Sequence, residues 1–259
     1  MRAVELSLVM PAYDSAAYIA QNVRRVLDFF EETGLDAELI IADDGSTDGT
    51  PDAIPDLPEV RVLRLPHSGK GGALRAGMTA ARGEIRAFTD ADLPYGLDLL
   101  PLAMEWIRVR RYHAVLGDRT LPGSAYESAG IQRTALSELA SFVFRTLVTG
   151  GIYDTQCGFK VFRGDVAAEL FRVARVDGFA IDVEVIYLLL KYRLDIKRVP
   201  VRLADNGPSS VHLLRDSARA ARDVLAIRAD WAAGRYRSRA LAAILREETA
   251  AEIGLPGGR

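Results

Sequence analysis

Short apolar runs alternate with amphipathic stretches through the first half of the chain. Glu5 to Met10 reads as a strand halted by Pro11. Ser15 is placed to cap a helix running to about Thr33, with Ile19, Val23, Val26, Leu27 and Phe30 on one face and Gly34 at its end. Glu38 to Ala42 predicts the next strand, followed by the polar turn Asp43-Asp44-Gly45-Ser46-Thr47-Asp48-Gly49. Val60 to Leu65 is a third strand, and a glycine-rich turn leads into a helix over Ala73 to Ala81. Glu84 to Thr89 is a fourth strand, Leu97 to Arg110 a helix and Ala114 to Gly117 a fifth strand. This alternation predicts an α/β fold with a mostly parallel sheet and helices on both faces.

The second half is less regular. Ser128 to Thr149 has a helical pattern, Gly158 to Phe162 a short strand, and Gly164 to Val173 a helix. Ile181 to Tyr192 is a strongly apolar helix and Asp195 to Leu203 a last strand. Residues 205–210 have loop composition, and Leu213 to about Glu252 predicts one or two helices before a frayed end. The division expected is a catalytic domain over 1–210 and a C-terminal helical extension over 211–259.

Composition narrows the class. A chain of 259 residues with 49% hydrophobic and 26% charged residues has an ordinary globular make-up and can bury a large core. A net charge of −2 supplies no global basic field for nucleic acid. The single cysteine, Cys157, permits no intrachain disulfide, fits a reducing compartment, and reads as a packed small residue with no base beside it. There is no signal-peptide pattern and no apolar run of the ~20 residues needed to span a bilayer. The expected location is cytoplasmic, free or peripheral on the inner face of the membrane.

Candidate chemistry gathers at strand ends. Asp90-Ala91-Asp92 follows an apolar strand, and a strand interior does not bury two unpaired charges. Both carboxylates are therefore expected at the carboxyl edge of the sheet, where open α/β sheets bind ligands. Two hard oxygen donors there suit Mg²⁺ or Mn²⁺ shared with a diphosphate. Pro11-Ala12-Tyr13-Asp14 and Asp43-Asp44 end two further strands on the same edge if these run parallel. Gly69-Lys70-Gly71 precedes a helix, where glycines let a ligand approach the backbone and the helix start favours anions, although Lys70 reads equally as a solvated turn lysine. Gln156 and Lys160 flank the Gly158 turn as further polar candidates. Asp182 and Glu184 fit either a catalytic base or dipole-favoured helix-start carboxylates.

Together these stretches resemble family 2 of the inverting glycosyltransferases, which have the GT-A fold. Asp154 to Phe162, Phe179 to Glu184, Val199-Pro200-Val201 and Ser209-Ser210-Val211 are similar to the polyprenyl-phosphate glycosyltransferases, nearest to the dolichyl-phosphate β-glucosyltransferase type. The resemblance implies that Pro11, Ala12, Tyr13, Asp14, Asp43, Asp44, Lys70, Asp90, Ala91 and Gln156 surround the donor. Asp90 and Asp92 would hold the metal, with Asp92 the better direct ligand. Arg119 and Arg133 would grip the acceptor phosphate, with Ser209 and Ser210 nearby; Arg119 read alone is a surface salt bridge. UDP-glucose is the favoured donor and GDP-mannose the second. A phosphate dianion attacks without a base, whereas a soluble hydroxyl acceptor would need Asp182 or Glu184. The arginine-rich tail from Arg215 to Arg246 suits packing on the domain, a homodimer contact or an anionic membrane surface.

Overall fold

A computed structural model of the chain describes residues 4–124, 152, 154–203 and 213–244. Its strands are β1 (Leu6–Ala12), β2 (Ala37–Asp43), β3 (Val60–Arg64), β4 (Ile85–Phe88), β5 (Ala114–Asp118), β6 (Lys160–Arg163) and β7 (Ile196–Pro200). Its helices are α1 (Ile19–Thr33), α2 (Lys70–Ala80), α3 (Leu100–Arg108), α4 (Gly164–Val173), α5 (Ile181–Lys191) and α6 (Leu213–Ala232).

The seven strands form one sheet in the order β3-β2-β1-β4-β6-β5-β7. β1, β2, β3 and β4 pair in parallel, as do β5 and β7. β6 alone is reversed and runs antiparallel to both β4 and β5. The strand residues alternate between two apolar layers. Val9, Ile40, Phe88, Leu116 and Phe162 pack with α2, α4 and α5 on one face. Leu8, Met10, Leu39, Ile41, Ala87 and Val161 pack with α1 and α3 on the other.

Several local expectations shift. β1 does not stop at Pro11 but runs through it to Ala12. The missing N–H costs nothing there, because it lies on the side of β1 where the β4 ladder has ended at Phe88. On the other side β1 continues, and Asp44 N donates to Ala12 O at 2.8 Å. Ser15 is not the helix cap. α1 starts at Ile19 with Tyr18 at its N-cap, and Ser15 Oγ donates to Tyr13 O at 3.1 Å. α2 starts at Lys70 rather than Ala73, so the glycine-rich stretch is itself the first helical turn. The apolar pattern of the last segment is broken after α6, where Gly234 takes a φ of 71°. The predicted helix over 128–149 and the loop over 205–210 lie outside the described residues.

The C-terminal segment returns to the body of the molecule. Val224, Ile227, Tyr236 and Leu241 are buried in the same apolar layer as α5. Among the described residues no helix is long and apolar enough to cross a membrane.

Candidate active site

Parallel pairing brings the carboxyl ends of β1, β2, β4 and β5 to one edge, and the reversal of β6 brings its first residue there as well. Lys160 sits opposite both Phe88 and Leu116. Lys70, Asp90, Lys160 and Asp182 thus meet from stretches that are distant in sequence.

At the β1 and β2 ends the loops are laced together. Thr47 N donates to Asp14 Oδ1 at 2.9 Å and Asp14 N to Ser46 Oγ at 2.9 Å. Ala16 N reaches Asp48 Oδ2 at 2.9 Å, and Ser15 N reaches Thr50 Oγ1 at 2.6 Å. Asp44 is buried and fully engaged: its carboxylate accepts from Ser68 N and Gly69 N, each at 2.8 Å. Its role is to fix the approach to α2. Asp43 is different. It is equally buried, yet among the described residues its Oδ1 has no hydrogen-bond partner, and its Oδ2 receives only a long 3.4 Å bond from Ser46 N. A buried acceptor without a donor is costly and calls for a partner. Beside it Tyr13 stands half-exposed, its ring 4.5 Å from that of His67, which offers a flat apolar surface at the same edge.

The acidic pair follows β4. Asp90 Oδ1 holds the Lys70 ammonium at 2.8 Å, and Lys70 also reaches Asp182 Oδ2 at 3.3 Å. Asp182 in turn takes the Lys160 ammonium at 2.5 Å. Lys160 is buried, donates to Cys157 O at 2.7 Å and lies 5.2 Å from the centre of the Phe88 ring. Burial would raise the Asp182 carboxyl, but the charges of Lys160 and Lys70 outweigh it and hold it below the usual range. Burial would likewise lower the Lys70 ammonium, but Asp182 and Asp90 outweigh that and raise it. Lys70 is therefore a paired, largely buried cation rather than a solvated turn lysine.

Gly158 is required by this geometry. A Cβ there would lie 2.0 Å from Asp90 Oδ2, so only glycine lets the Asp90 carboxylate rest against the backbone before β6. Asp92 is exposed at this edge and makes no salt bridge among the described residues. Desolvation by the surrounding protein, and next the charge of Asp90, push its carboxyl up. Two acids near enough for the charge of Asp90 to raise Asp92, only one of them bonded to Lys70, are a fitting place for a divalent ion. Among the described residues no group of three or more His, Cys, Asp or Glu converges on one point. Asp90 and Asp92 would thus be the protein's ligands, leaving the other positions to phosphate and water oxygens, as Mg²⁺ commonly requires.

Arg119 follows β5 and forms a forked pair with Asp154, Nε to Oδ2 at 2.8 Å and Nη2 to Oδ1 at 2.7 Å. The hydrogen bond to Asp154 raises the guanidinium, and Arg119 holds Asp154 below its usual range against the effect of burial. Arg119 is neither a loose surface pair nor a free fork; Asp154 fixes its plane at the rim. Arg133, Ser209 and Ser210 lie outside the described residues.

Glu184 faces the interior. It accepts from Arg175 N at 2.8 Å, Val176 N at 3.0 Å and Tyr236 Oη at 2.5 Å, and burial pushes its carboxyl up. The loop it holds supplies Asp177 O, which accepts from Gly71 N at 2.7 Å and Gly72 N at 3.2 Å. The first amides of α2 are therefore capped by protein, and a Cβ at Gly71 would lie 2.2 Å from Val176 O. Here the glycines admit a protein backbone, where the sequence suggested a ligand. Gln156 is exposed at the edge, whereas Lys160 is buried and enclosed on Asp182 and Cys157 O. Burial pushes the Cys157 thiol up to about 11, consistent with a packed, unreactive residue.

Two participants escaped the sequence reading. Asp154 was visible only as part of a motif, since nothing local shows that a carboxylate thirty-five residues on will orient Arg119. Tyr236 carried no signal at all.

The seven-stranded mixed sheet with its reversed strand is the fold of the GT-A glycosyltransferases, as comparison with solved structures shows. Mannosyl-3-phosphoglycerate synthase from Rubrobacter xylanophilus superposes with a TM-score of 0.65 at 20% identity, over 91% of this chain and 77% of that one. Glucosyl-3-phosphoglycerate synthase from Mycobacterium tuberculosis, in complex with UDP, does so with a TM-score of 0.61 at 22% identity, over 86% and 78%.

The sequence model "Glycosyl transferase family 2" matches residues 7–171, and the chain belongs to that family. It is similar to the dolichyl-phosphate β-glucosyltransferase of Drosophila melanogaster, 31% identical over 90% of this chain and 77% of the relative. The protein of that name from Saccharomyces cerevisiae is 28% identical over 90% and 76%. The chain is a glycosyltransferase.

Proposed function

We propose that this enzyme transfers a hexose from a nucleotide sugar to a polyprenyl phosphate with inversion at the anomeric carbon. Glucose from UDP-glucose is the favoured donor group, and mannose from GDP-mannose the second. The names of the full-length relatives support this assignment of donor and acceptor.

The observation that carries the choice of acceptor is the state of the two candidate bases. Asp182 is buried on the enclosed Lys160 ammonium with its carboxyl depressed, a bond it keeps whatever Lys70 does, and Glu184 faces the interior, held by two backbone amides and Tyr236. Neither is placed to take a proton from a hydroxyl. A phosphate monoester, mostly dianionic at pH 7, needs no such group. Arg119, oriented by Asp154, stands at the rim as a cation for that phosphate, and Arg133, Ser209 and Ser210 complete the proposal.

On the donor side, the unpartnered Oδ1 of Asp43 awaits a donor group such as a base N–H, with Tyr13 as the flat surface beside it, flanked by Pro11, Ala12 and Asp14. Asp90 and Asp92 would hold Mg²⁺ or Mn²⁺ on the diphosphate; the bound ion would stabilise the leaving nucleoside diphosphate as a Lewis acid. Residues 1–210 would make up the catalytic domain, with the extension over 211–259 packed on it. The enzyme would work at the inner membrane surface, where its lipid substrate lies.

The test is nucleoside diphosphate release from a panel of UDP- and GDP-sugars, with Mg²⁺ or Mn²⁺, with and without a short polyprenyl phosphate. Release that requires the lipid phosphate and yields a chloroform-soluble sugar supports the proposal and names the donor. Metal-dependent donor binding with transfer only to a neutral hydroxyl overturns it. Arg119→Ala and Arg133→Ala should nearly abolish transfer to phosphate.

A further inference from the structure

The proposed site already contains a cation. Lys70 bonds Asp90 and Asp182, Lys160 bonds Asp182, and the charge of Lys70 acts on nearby Asp92, so that these three carboxylates and two ammonium groups leave one net negative charge. Lys160 is buried against Asp182 and Cys157 O and is not positioned to leave. Lys70 is different in kind. It spans from Asp182 to Asp90, the outermost of its partners, whose side chain is one-third exposed. Asp182 keeps its short bond to Lys160 if Lys70 departs, so Lys70 can move without stranding a buried charge.

From this arrangement we infer that Lys70 is a resident counter-ion that competes with a divalent metal for Asp90 and makes metal binding conditional on the donor's diphosphate. The inference rests on the donor site proposed above. A dication entering alone would meet an ammonium bonded to the same carboxylate, and the cluster would pass from one net negative charge to one net positive. Like charges at contact distance in a partly buried site are strongly unfavourable. A diphosphate arriving with the ion reverses the balance. Its oxygens accept the displaced Lys70 as well as the metal, so ion and nucleotide enter as a unit. Gly158 holds Asp90 in place for either partner, because its missing Cβ is what allows the carboxylate to sit there.

The experiment is a Mn²⁺ titration of the full chain, followed by the electron paramagnetic resonance of free Mn²⁺, with and without UDP. The wild-type chain should bind Mn²⁺ weakly alone and more tightly with UDP. Lys70→Met and, as a second neutral variant, Lys70→Gln should bind Mn²⁺ alone about tenfold more tightly or better, and lose most of the UDP enhancement. Lys70→Arg, which keeps the charge, should behave as wild type. Adding Asp92→Asn to Lys70→Met should erase the gain and so place it at this pair. If both neutral variants bind Mn²⁺ alone no better than wild type, the inference falls. If the wild-type chain shows no UDP enhancement while the neutral variants still gain Mn²⁺ affinity, the competition at Asp90 stands, but its dependence on the diphosphate falls together with the donor reading.

Discussion

Replacing Asp182 by Asn is the sharpest probe of the polar cluster under the cleft. Both carboxylate oxygens are occupied, one by Lys160 at 2.5 Å and the other by Lys70 at 3.3 Å. Asn keeps the size but removes the charge. Lys160 then remains buried with only Cys157 O and the Phe88 ring for company. Breaking a buried ion pair from one side costs about 3–5 kcal/mol. That is a large share of the ~5–15 kcal/mol that holds a domain together. At ~2–4 °C per kcal/mol for a chain of this size, the melting temperature should fall by roughly 10 °C. Removing the partner as well should restore much of the loss: Asp182→Asn with Lys160→Met should be more stable than Asp182→Asn alone by about 2 kcal/mol, because a neutral pair no longer strands a charge. The pH dependence gives a second reading. The folded Asp182 carboxyl lies below its unfolded value of about 3.9, so its contribution is present above that value and disappears as pH falls through the folded one. The variant should lose that part of the acid slope. Urea denaturation from neutral pH down to the acid limb would measure both. A cost below about 1 kcal/mol, with an unchanged acid slope, would show that Lys160 does not rely on Asp182 and would refute the reasoning.

Three further outcomes are expected. Gly158→Ala forces Asp90 aside from a Cβ that would otherwise lie at 2.0 Å, and turnover should drop by ~100-fold while the melting temperature changes little. Glu38, buried on Ser7 Oγ at 2.6 Å and Arg82 Nη2 at 2.7 Å, has its carboxyl held down by Arg82 and Ser7 against burial; Glu38→Gln should cost about 2–3 kcal/mol at pH 7, an effect that fades as acid protonates the wild-type residue. Cys157, with its thiol pushed up to about 11, should resist alkylation at pH 8 in the native chain and react at once in denaturant; native labelling at the rate of a free thiol would contradict its burial.

The parallel half of the fold was legible because its signals are local. Each strand is a short apolar run, each turn is written in Gly, Asp and Ser, and α/β alternation leaves few topologies. The same logic put Asp43, Asp44, Asp90 and Asp92 at one edge before any geometry was known. What the sequence could not show is how each acid is satisfied. Asp43 and Asp44 are neighbours of one type, yet one closes on the amides of Ser68 and Gly69 while the other keeps an oxygen bare. That distinction depends on a loop some twenty residues away. Lys70 reads from sequence equally as a donor contact or a solvated turn lysine, and Lys160 as a further polar candidate; that both meet Asp182 has no local signal, because the three come from elements far apart in the chain. Pro11 was taken for a strand end because the rule against proline in a central strand assumes a ladder on both sides, and here β4 stops two residues earlier.

The reversed β6 has a consequence for how the chain reaches this state. It lies between β4 and β5, so the four-stranded portion made first and the β5–β7 pair join only through its four residues. β5 leaves the ribosome with neither of its neighbours yet made, and waits some forty residues for β6 and about eighty for β7. Until then it is an open, apolar edge of the kind that invites pairing with another chain. Synthesis that pauses between β5 and β6 should therefore be the moment of greatest aggregation risk. Because Lys160 is the first residue of β6, the strand that closes the sheet also delivers the charge that Asp182 requires.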